Sequence, residues 1–224
     1  MSDTVKAFDD YSSNYDQWFE SPEGKAVFMA EVDAVSLLTK GLEHPFLEIG
    51  VGTGRFAKEL GIDFGIDPSV KMLIMAVMRG IKTKKAEGES LPFPDDSFGA
   101  VFILFTICFV RDPEKVITEA KRVLKPGGGL IIGFINRKSP WGEHYAKKQA
   151  EGHPIYSHAR FFSIDEIVSF ISTVGFTYVA SSSTLCQLPS KQPQKEEAYG
   201  GLAEDAGFVG ILARKQISGE ATNE

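Results

Sequence analysis

Cysteine is scarce in this 224-residue sequence, which contains only Cys108 and Cys186. The two lie far apart in the chain and have no metal-ligand partner nearby, which argues against a disulfide. We expect two free thiols in a reducing, cytoplasmic environment, with Cys108 buried as a small apolar side chain. Histidine is also rare, and the four histidines are too scattered for us to propose a metal site.

An excess of positive charge is also absent. The formal net charge is -6, whereas a protein that binds duplex phosphates needs a basic face. The local basic clusters at 82–85 and 137–138 are more typical of solvated loops. The acidic balance therefore argues against a nucleic acid acceptor.

Long hydrophobic runs are missing as well. The longest, Phe98 to Val110, is shorter than the ~18–20 residues that a membrane span needs, and it is more typical of one buried strand. The first residues lack the basic and apolar segments of a secretory signal. We expect a protein without a membrane span, present as a monomer or homodimer.

The chain alternates between strand and helix patterns, which predicts a parallel sheet with helices on both faces. Predicted strands lie at 45–49, 63–67, 81–86, 98–106, 130–135, 176–182 and 208–214. Predicted helices lie at 23–38, from 55, and at 69–79, 113–124 and 163–173. Three segments fall outside this pattern: an aromatic-rich start within 1–40, a polar insert at 137–160, and a long loop at 185–206.

A glycine-rich turn follows the first predicted strand. Gly50, Gly52 and Gly54 alternate there, and glycines let the backbone approach a ligand where a strand turns into a helix. A plain tight turn is the alternative. The dinucleotide fingerprint spaces its last two glycines three apart, unlike this turn, and Glu48 suits a cationic ligand better than a pyrophosphate. S-adenosylmethionine, with its sulfonium and ammonium groups, meets that requirement.

Two further carboxylates follow the next strands. Asp67 closes the second predicted strand, where a carboxylate can accept the two hydroxyl donors of a ribose. A helix cap for 69–79 is the alternative, and both roles can coexist. Glu87 follows the third strand and could accept a hydrogen bond from an adenine amine. The alternative for Glu87 is a solvated loop residue.

Four motifs occur in order at suitable separations: Leu47 to Phe56, Gly65 to Ser69, Glu87 to Phe93, and Arg122 to Gly128. Together they resemble the class I S-adenosylmethionine-dependent methyltransferases, particularly the small-molecule and quinone-methylating type. The resemblance implies an α/β fold, a Rossmann-like three-layer sandwich with helices on both faces. Its seven-strand, mostly parallel sheet has the order 3-2-1-4-5-7-6, with strand 7 antiparallel.

The resemblance also implies which residues bind S-adenosylmethionine. The methionine end would be lined by Glu48, Gly50, Gly52 and Gly54, and the transferred methyl would be bordered by Phe105 and Thr106. Asp67 would hold the ribose. The adenine would be flanked by Pro68 and Ser69, and its amine would meet Glu87, with Gly88 alongside.

Departures from the family leave the methyl acceptor open. Phe98-Gly99 stands where the family usually has Phe-Asp, and the mark of amino-methylating enzymes on nucleic acids and proteins is missing after the fourth strand. We expect methyl transfer to a small-molecule acceptor by in-line displacement. A catalytically silent cofactor-binding protein and a nicotinamide-dependent oxidoreductase remain alternatives.

We expect one domain over 1–224. Its parts are an N-terminal cap segment at 1–40, a cofactor-binding half at 41–136, a substrate-side insert at 137–160, the second half of the sheet at 161–216, and a disordered tail at 217–224. Substrate-side candidates are Tyr11, Tyr15, Trp18, His144, Tyr145, His153 and His158. Tyr11, Tyr15 and His144 are the candidates for catalysis, although the N-terminal aromatic residues fit simple packing equally well.

Overall fold

The strands and helices predicted from the sequence are present in a computed structural model, which describes residues 2–189 and 196–217. The strands are β1 Phe46–Ile49, β2 Phe64–Asp67, β3 Lys82–Lys85, β4 Phe98–Leu104, β5 Leu124–Ile135, β6 Phe176–Thr184, β7 Tyr199–Gly200 and β8 Phe208–Lys215. The helices are α1 Asp3–Trp18, α2 Pro22–Ser36, α3 Arg55–Glu59, α4 Val70–Met78, α5 Pro113–Val123, α6 Pro140–Ala150 and α7 Ile164–Thr173.

All described strands belong to one sheet, in the order β3-β2-β1-β4-β5-β8-β6-β7. Strands β1 to β5 pair in parallel, and β8 runs antiparallel to both β5 and β6. The predicted order is therefore confirmed, with β8 as the predicted antiparallel seventh strand. The predicted number of strands was one too few, because β7 is a two-residue edge strand inside the long loop and has no apolar run to indicate it.

Helices cover both faces of the sheet. One buried cluster joins apolar residues of α2, α3 and α4 to the sheet, and a second joins residues of α5 and α7 to the opposite face. All residues of β4 are buried, as expected for a strand covered on both sides. The predicted three-layer arrangement is confirmed.

Capping residues start the helices where the sequence predicted them. Asp112 accepts a hydrogen bond from the backbone N–H of Lys115, with Pro113 in the first turn of α5. Ser163 and Glu166 form a reciprocal capping box at the start of α7. These local signals fix the helix starts because each satisfies backbone N–H groups that the helix itself leaves unpaired.

Several predicted boundaries were wrong. The N-terminal segment is the long helix α1, and the insert at 137–160 contains α6 and a 3-10 turn at Tyr156–His158. Strand β4 ends at Leu104 rather than at residue 106, because Phe105 has a left-handed φ of 55°. Residues 218–224 of the predicted disordered tail lie outside the described residues. In the described part of the chain, no helix has the length and apolar character that a membrane span requires.

Candidate functional site

The glycine turn between β1 and α3 has three left-handed glycines that face different surroundings. A Cβ on Gly50 would overlap the side chain of Thr106, and one on Gly54 would lie 2.9 Å from the Cα of Ala76. A Cβ on Gly52 would meet nothing within 4 Å. Gly54 therefore lets α4 pack closely against the turn. The sequence-based prediction placed Gly54 at the methionine end of the cofactor, but this residue does not line the main cavity. Gly50 and Gly52 do line it.

Asp67 ties this turn to the next strand. Its carboxylate accepts hydrogen bonds from the backbone N–H of Gly52 at 3.0 Å and of Ser69 at 2.8 Å. Burial raises the pKa of Asp67 to about 6. The side chain that caps α4 is that of Ser69, whose Oγ accepts the N–H of Met72 at 3.2 Å. The helix-cap role considered for Asp67 thus belongs to Ser69.

Glu48 is a buried carboxylate with a free acceptor. The residue is 2% exposed, and its Oε2 has no hydrogen-bond partner among the described residues. Burial, and then the charge of Asp67, raises the pKa of Glu48 well above its usual range. It borders a small pocket of about 30 Å³ that shares Gly50, Gly52 and Tyr15 with the main cavity. Because an unpaired buried carboxylate is costly, this position suits a cationic ligand group.

The main cavity has a volume of about 340 Å³ and lies at the carboxyl ends of the parallel strands, where open α/β sheets bind ligands. Most of the predicted cofactor residues form one wall of it. They are Gly50, Gly52, Asp67, Pro68, Ser69, Glu87, Gly88, Phe105 and Thr106. Glu87 is exposed and forms an ion pair with Arg111 at 3.2 Å.

Helix α1 covers this cavity and contributes Tyr11, Tyr15 and Trp18 to its lining. It is held by Asp16, whose carboxylate receives hydrogen bonds from Arg55 at 2.8 and 2.9 Å and from Arg79 at 2.8 Å. Burial alone would raise the pKa of Asp16, but hydrogen bonds from Arg55 and its other donors lower it to about 2. The N-terminal aromatic residues therefore line the cavity, and Tyr15 and Trp18 also pack against the core.

The insert supplies another wall, but not through His144. The His144 side chain does not line the cavity, whereas that of Tyr145 does. Neighbouring residues of a helix point about 100° apart around its axis, so His144 faces away from the cavity-lining side of α6. His153 also lines it, and burial followed by the charge of Lys148 lowers the pKa of His153. The prediction of His144 as a catalytic candidate is therefore not supported by its position.

Sequence reasoning missed several lining residues, above all Glu31 on α2 and Tyr156 in the 3-10 turn. The sequence pattern around Glu31 could have identified it as a buried acidic residue. Glu31 lies four residues from both Val27 and Val35, which are 1% and 0% exposed, so an acidic residue occupies the buried face of an amphipathic helix. Tyr156 offered no such signal, since its position depends on the path of an irregular loop. Cys108 has a free thiol, as predicted, but it is half-buried and also lines the cavity.

Comparisons with known proteins agree with this geometry. A family model described as a methyltransferase domain matches residues 47–132. A SAM-dependent methyltransferase from Thermotoga maritima, described as a possible histamine N-methyltransferase, superposes with a TM-score of 0.88 at 37% identity, covering 95% of this chain and 100% of that one. An uncharacterized Mycobacterium tuberculosis protein is 44% identical over 90% of this chain and 71% of its own length.

A more distant relative is a ubiquinone/menaquinone biosynthesis C-methyltransferase from Francisella tularensis. It is 27% identical over 62% of this chain and 50% of its own length. The Thermotoga match extends over that whole protein at substantial identity. Three of the four sequence motifs contribute residues to the cavity wall, and the fourth, Arg122 to Gly128, spans the end of α5 and the start of β5. The chain therefore belongs to the class I S-adenosylmethionine-dependent methyltransferases and is an enzyme that uses S-adenosylmethionine as its cofactor.

Proposed function

We propose that this enzyme methylates a small molecule that binds in the cavity between α1, the insert and the glycine turn. The observation that carries the proposal is the shape of the cavity. It extends from the wall at Gly50 and Thr106 into a chamber lined by aromatic residues of α1 and the insert. The whole cavity, including the part lined by Gly50, Gly52 and Asp67, has a volume of about 340 Å³, at the lower end of the range for small-ligand pockets, about 300–1,000 Å³, so the space for an acceptor is small.

The residues of this site fit S-adenosylmethionine. The unpaired Oε2 of Glu48 matches a cationic group at the methionine end, and the open space at Gly52 leaves room for close backbone approach. We assign the ribose hydroxyls to Asp67. Pro68 and Ser69 would lie beside the adenine. Glu87 and Gly88 would lie at the adenine amine.

When bound, S-adenosylmethionine supplies a methyl group on a sulfonium, a good leaving group, for in-line displacement. The chain contributes mainly position and exclusion of water. Phe105 and Thr106 would border the reacting methyl group, and the ring of Tyr15 can face a cation. Burial raises the pKa of Tyr15, so its hydroxyl stays protonated at neutral pH and can donate a hydrogen bond but not accept a proton as a base.

Two other cavity groups have limited chemical roles. Burial raises the pKa of Cys108 to about 12, so this side chain remains a thiol and does not compete as a nucleophile. The ring centre of Tyr11 lies 5.6 Å from that of His153, so these two residues join α1 to the insert across the cavity. We propose that this contact helps to enclose the acceptor.

Incubation with methyl-labelled S-adenosylmethionine tests the proposal. A small-metabolite extract and, separately, purified RNA and protein fractions serve as acceptors, and mass spectrometry locates the label. We expect label in a small molecule, and none with the Asp67→Ala variant. Label confined to RNA or protein would contradict the small-molecule acceptor while leaving methyltransferase activity intact.

A further inference from the structure

The cavity contains a second buried carboxylate, which lies outside the predicted cofactor wall. Glu31 projects from α2, is only 4% exposed, and lines the cavity. Among the described residues, its side chain has no ion pair and no hydrogen bond. Burial raises the pKa of Glu31 well above its usual range. A buried acidic group without a hydrogen-bond or ion-pair partner destabilises the protein unless a ligand supplies that partner.

Several aromatic residues line the same cavity as this carboxylate. The ring centres of Tyr145 and Tyr156 lie 4.7 Å apart, and each lies within 6.4 Å of the Phe161 ring. Burial raises the pKa of Tyr15, Tyr145 and Tyr156, and the negative charge of Glu31 raises each further. Tyr15, Tyr145 and Tyr156 line the same cavity as Glu31, with α1 on one side and the insert on the other.

The same rings already attract one cation of the protein. The Nζ of Lys148 lies 5.1 Å from the ring centre of Tyr145 and 5.8 Å from that of Tyr156. Lys148 and Glu31 are both described by the structure and form no ion pair, so Lys148 does not neutralise the carboxylate. A carboxylate beside electron-rich ring faces is the arrangement that favours an alkylammonium group over a neutral or anionic one.

We propose that Glu31, with Tyr145 and Tyr156, binds an ammonium group of the methyl acceptor, so that the acceptor is a small cationic amine. This inference rests on the proposed function, since it concerns the same cavity. The ammonium group anchors the acceptor, and the proposal does not require it to be the methylated atom. Tyr15 lines both this cavity and the small pocket bordered by Glu48, so it connects the side of the anchor to the side of the cofactor.

Matched ligand pairs test the anchor directly by binding. Calorimetry in the presence of S-adenosylhomocysteine compares 2-phenylethylamine with 2-phenylethanol, pentylamine with pentanol, and histamine with 4-(2-hydroxyethyl)imidazole. Within each pair the ligands differ chiefly in an ammonium or a hydroxyl group. We expect the amine to bind at least tenfold more tightly in at least one pair. Equal affinities within every pair would overturn the proposal.

The Glu31→Gln variant tests the residue, with Asp33→Asn as the matched control. Asp33 lies on the same helix but is exposed, so its substitution removes the same charge outside the cavity. Glu31→Gln should abolish the preference for the amine and keep the affinity for S-adenosylhomocysteine within about twofold, whereas Asp33→Asn should retain both. An amine preference that persists in Glu31→Gln would also overturn the proposal.

Failure of this inference differs from failure of the proposed function. If labelled methyl appears only in neutral or anionic small molecules, the small-molecule function stands and the amine anchor is wrong. If label appears only in macromolecules, the proposed function itself fails. Circular dichroism of Glu31→Gln checks folding, and Glu31→Asp provides a second variant that keeps the charge and should retain a measurable amine preference.

Discussion

Asp16→Ala is expected to release α1 from the rest of the protein. The Asp16 carboxylate accepts three hydrogen bonds of 2.8–2.9 Å from Arg55 and Arg79. These bonds join α1 to the start of α3 and the end of α4. The side chains are mostly buried, with 13% exposure for Asp16, 16% for Arg55 and 21% for Arg79. Removal of the carboxylate therefore leaves two guanidinium groups without their main acceptor.

The magnitude follows from the pKa and from the hydrogen bonds. The pKa of Asp16 falls from 3.8 to about 2, which corresponds to about 2 kcal/mol of stabilisation. Because the folded-state pKa is lowered, this stabilisation is fully present above about pH 4 and is lost as the pH falls through about 2. Charged hydrogen bonds contribute about 1.5–3 kcal/mol each, and they are not additive. We expect a loss of about 2–4 kcal/mol at neutral pH.

Hydrogen exchange measures this loss locally. The amides of residues 3–18 should exchange roughly 30- to 1,000-fold faster in Asp16→Ala, while those of β4 and β5 keep their protection. Affinity for S-adenosylhomocysteine should fall as well, since α1 lines the cavity. Asp10→Ala is the control, because Asp10 lies on the same helix and pairs with Lys6 in solvent. Equal exchange in the two variants, or a uniform loss across the sheet, would refute the reasoning.

Three other predictions concern the cofactor wall and α1. Burial raises the pKa of Asp67 to about 6, so affinity for S-adenosylhomocysteine, measured by calorimetry, should rise from about pH 5 to about pH 7 as the carboxylate ionises. Asp67→Asn should bind more weakly and with a smaller rise over this range; a flat wild-type profile would contradict this. Gly54→Ala should lower the melting temperature more than Gly52→Ala. Both substitutions place alanine in a left-handed backbone conformation, which costs about 1–2 kcal/mol, but only the Cβ at residue 54 would also lie 2.9 Å from the Cα of Ala76. Equal melting temperatures would count against that difference. Deletion of residues 2–18 should abolish methyl transfer and leave the sheet protected from exchange, and full activity would remove α1 from the site.

Local patterns in the sequence were sufficient for most of the fold. The apolar run of β4 predicts a strand covered on both faces, and Asp112 with Pro113 predicts the start of α5. Strand order followed from the family resemblance and was confirmed. The two-residue strand β7 could not be predicted, because its pairing with β6 depends on a distant partner and not on its own residues.

Residues that line the cavity at the strand ends were easier to predict from the sequence than those that line it from α1, α2 and the insert. Gly50, Gly52 and Asp67 lie in short segments directly after strands, so the turn geometry that brings them together is encoded within each segment. His144 and Tyr145 show the opposite case. They are adjacent in the sequence, yet only Tyr145 lines the cavity, because the rotation of α6 about its axis is set by packing.

Local sequence was enough to predict the strand and helix alternation, the glycine turn and the carboxylates at the strand ends, since each depends on contacts among near neighbours in the chain. The packing of the whole chain was needed to show that α1 covers the cavity and that Glu31 lines it together with Tyr145 and Tyr156. Asp16 meets Arg55 and Arg79 across a sequence separation of 39 and 63 residues. Contacts of that range form only when packed helices bring the residues together, and the side of the cavity lined by α1, α2 and the insert depends on such packing.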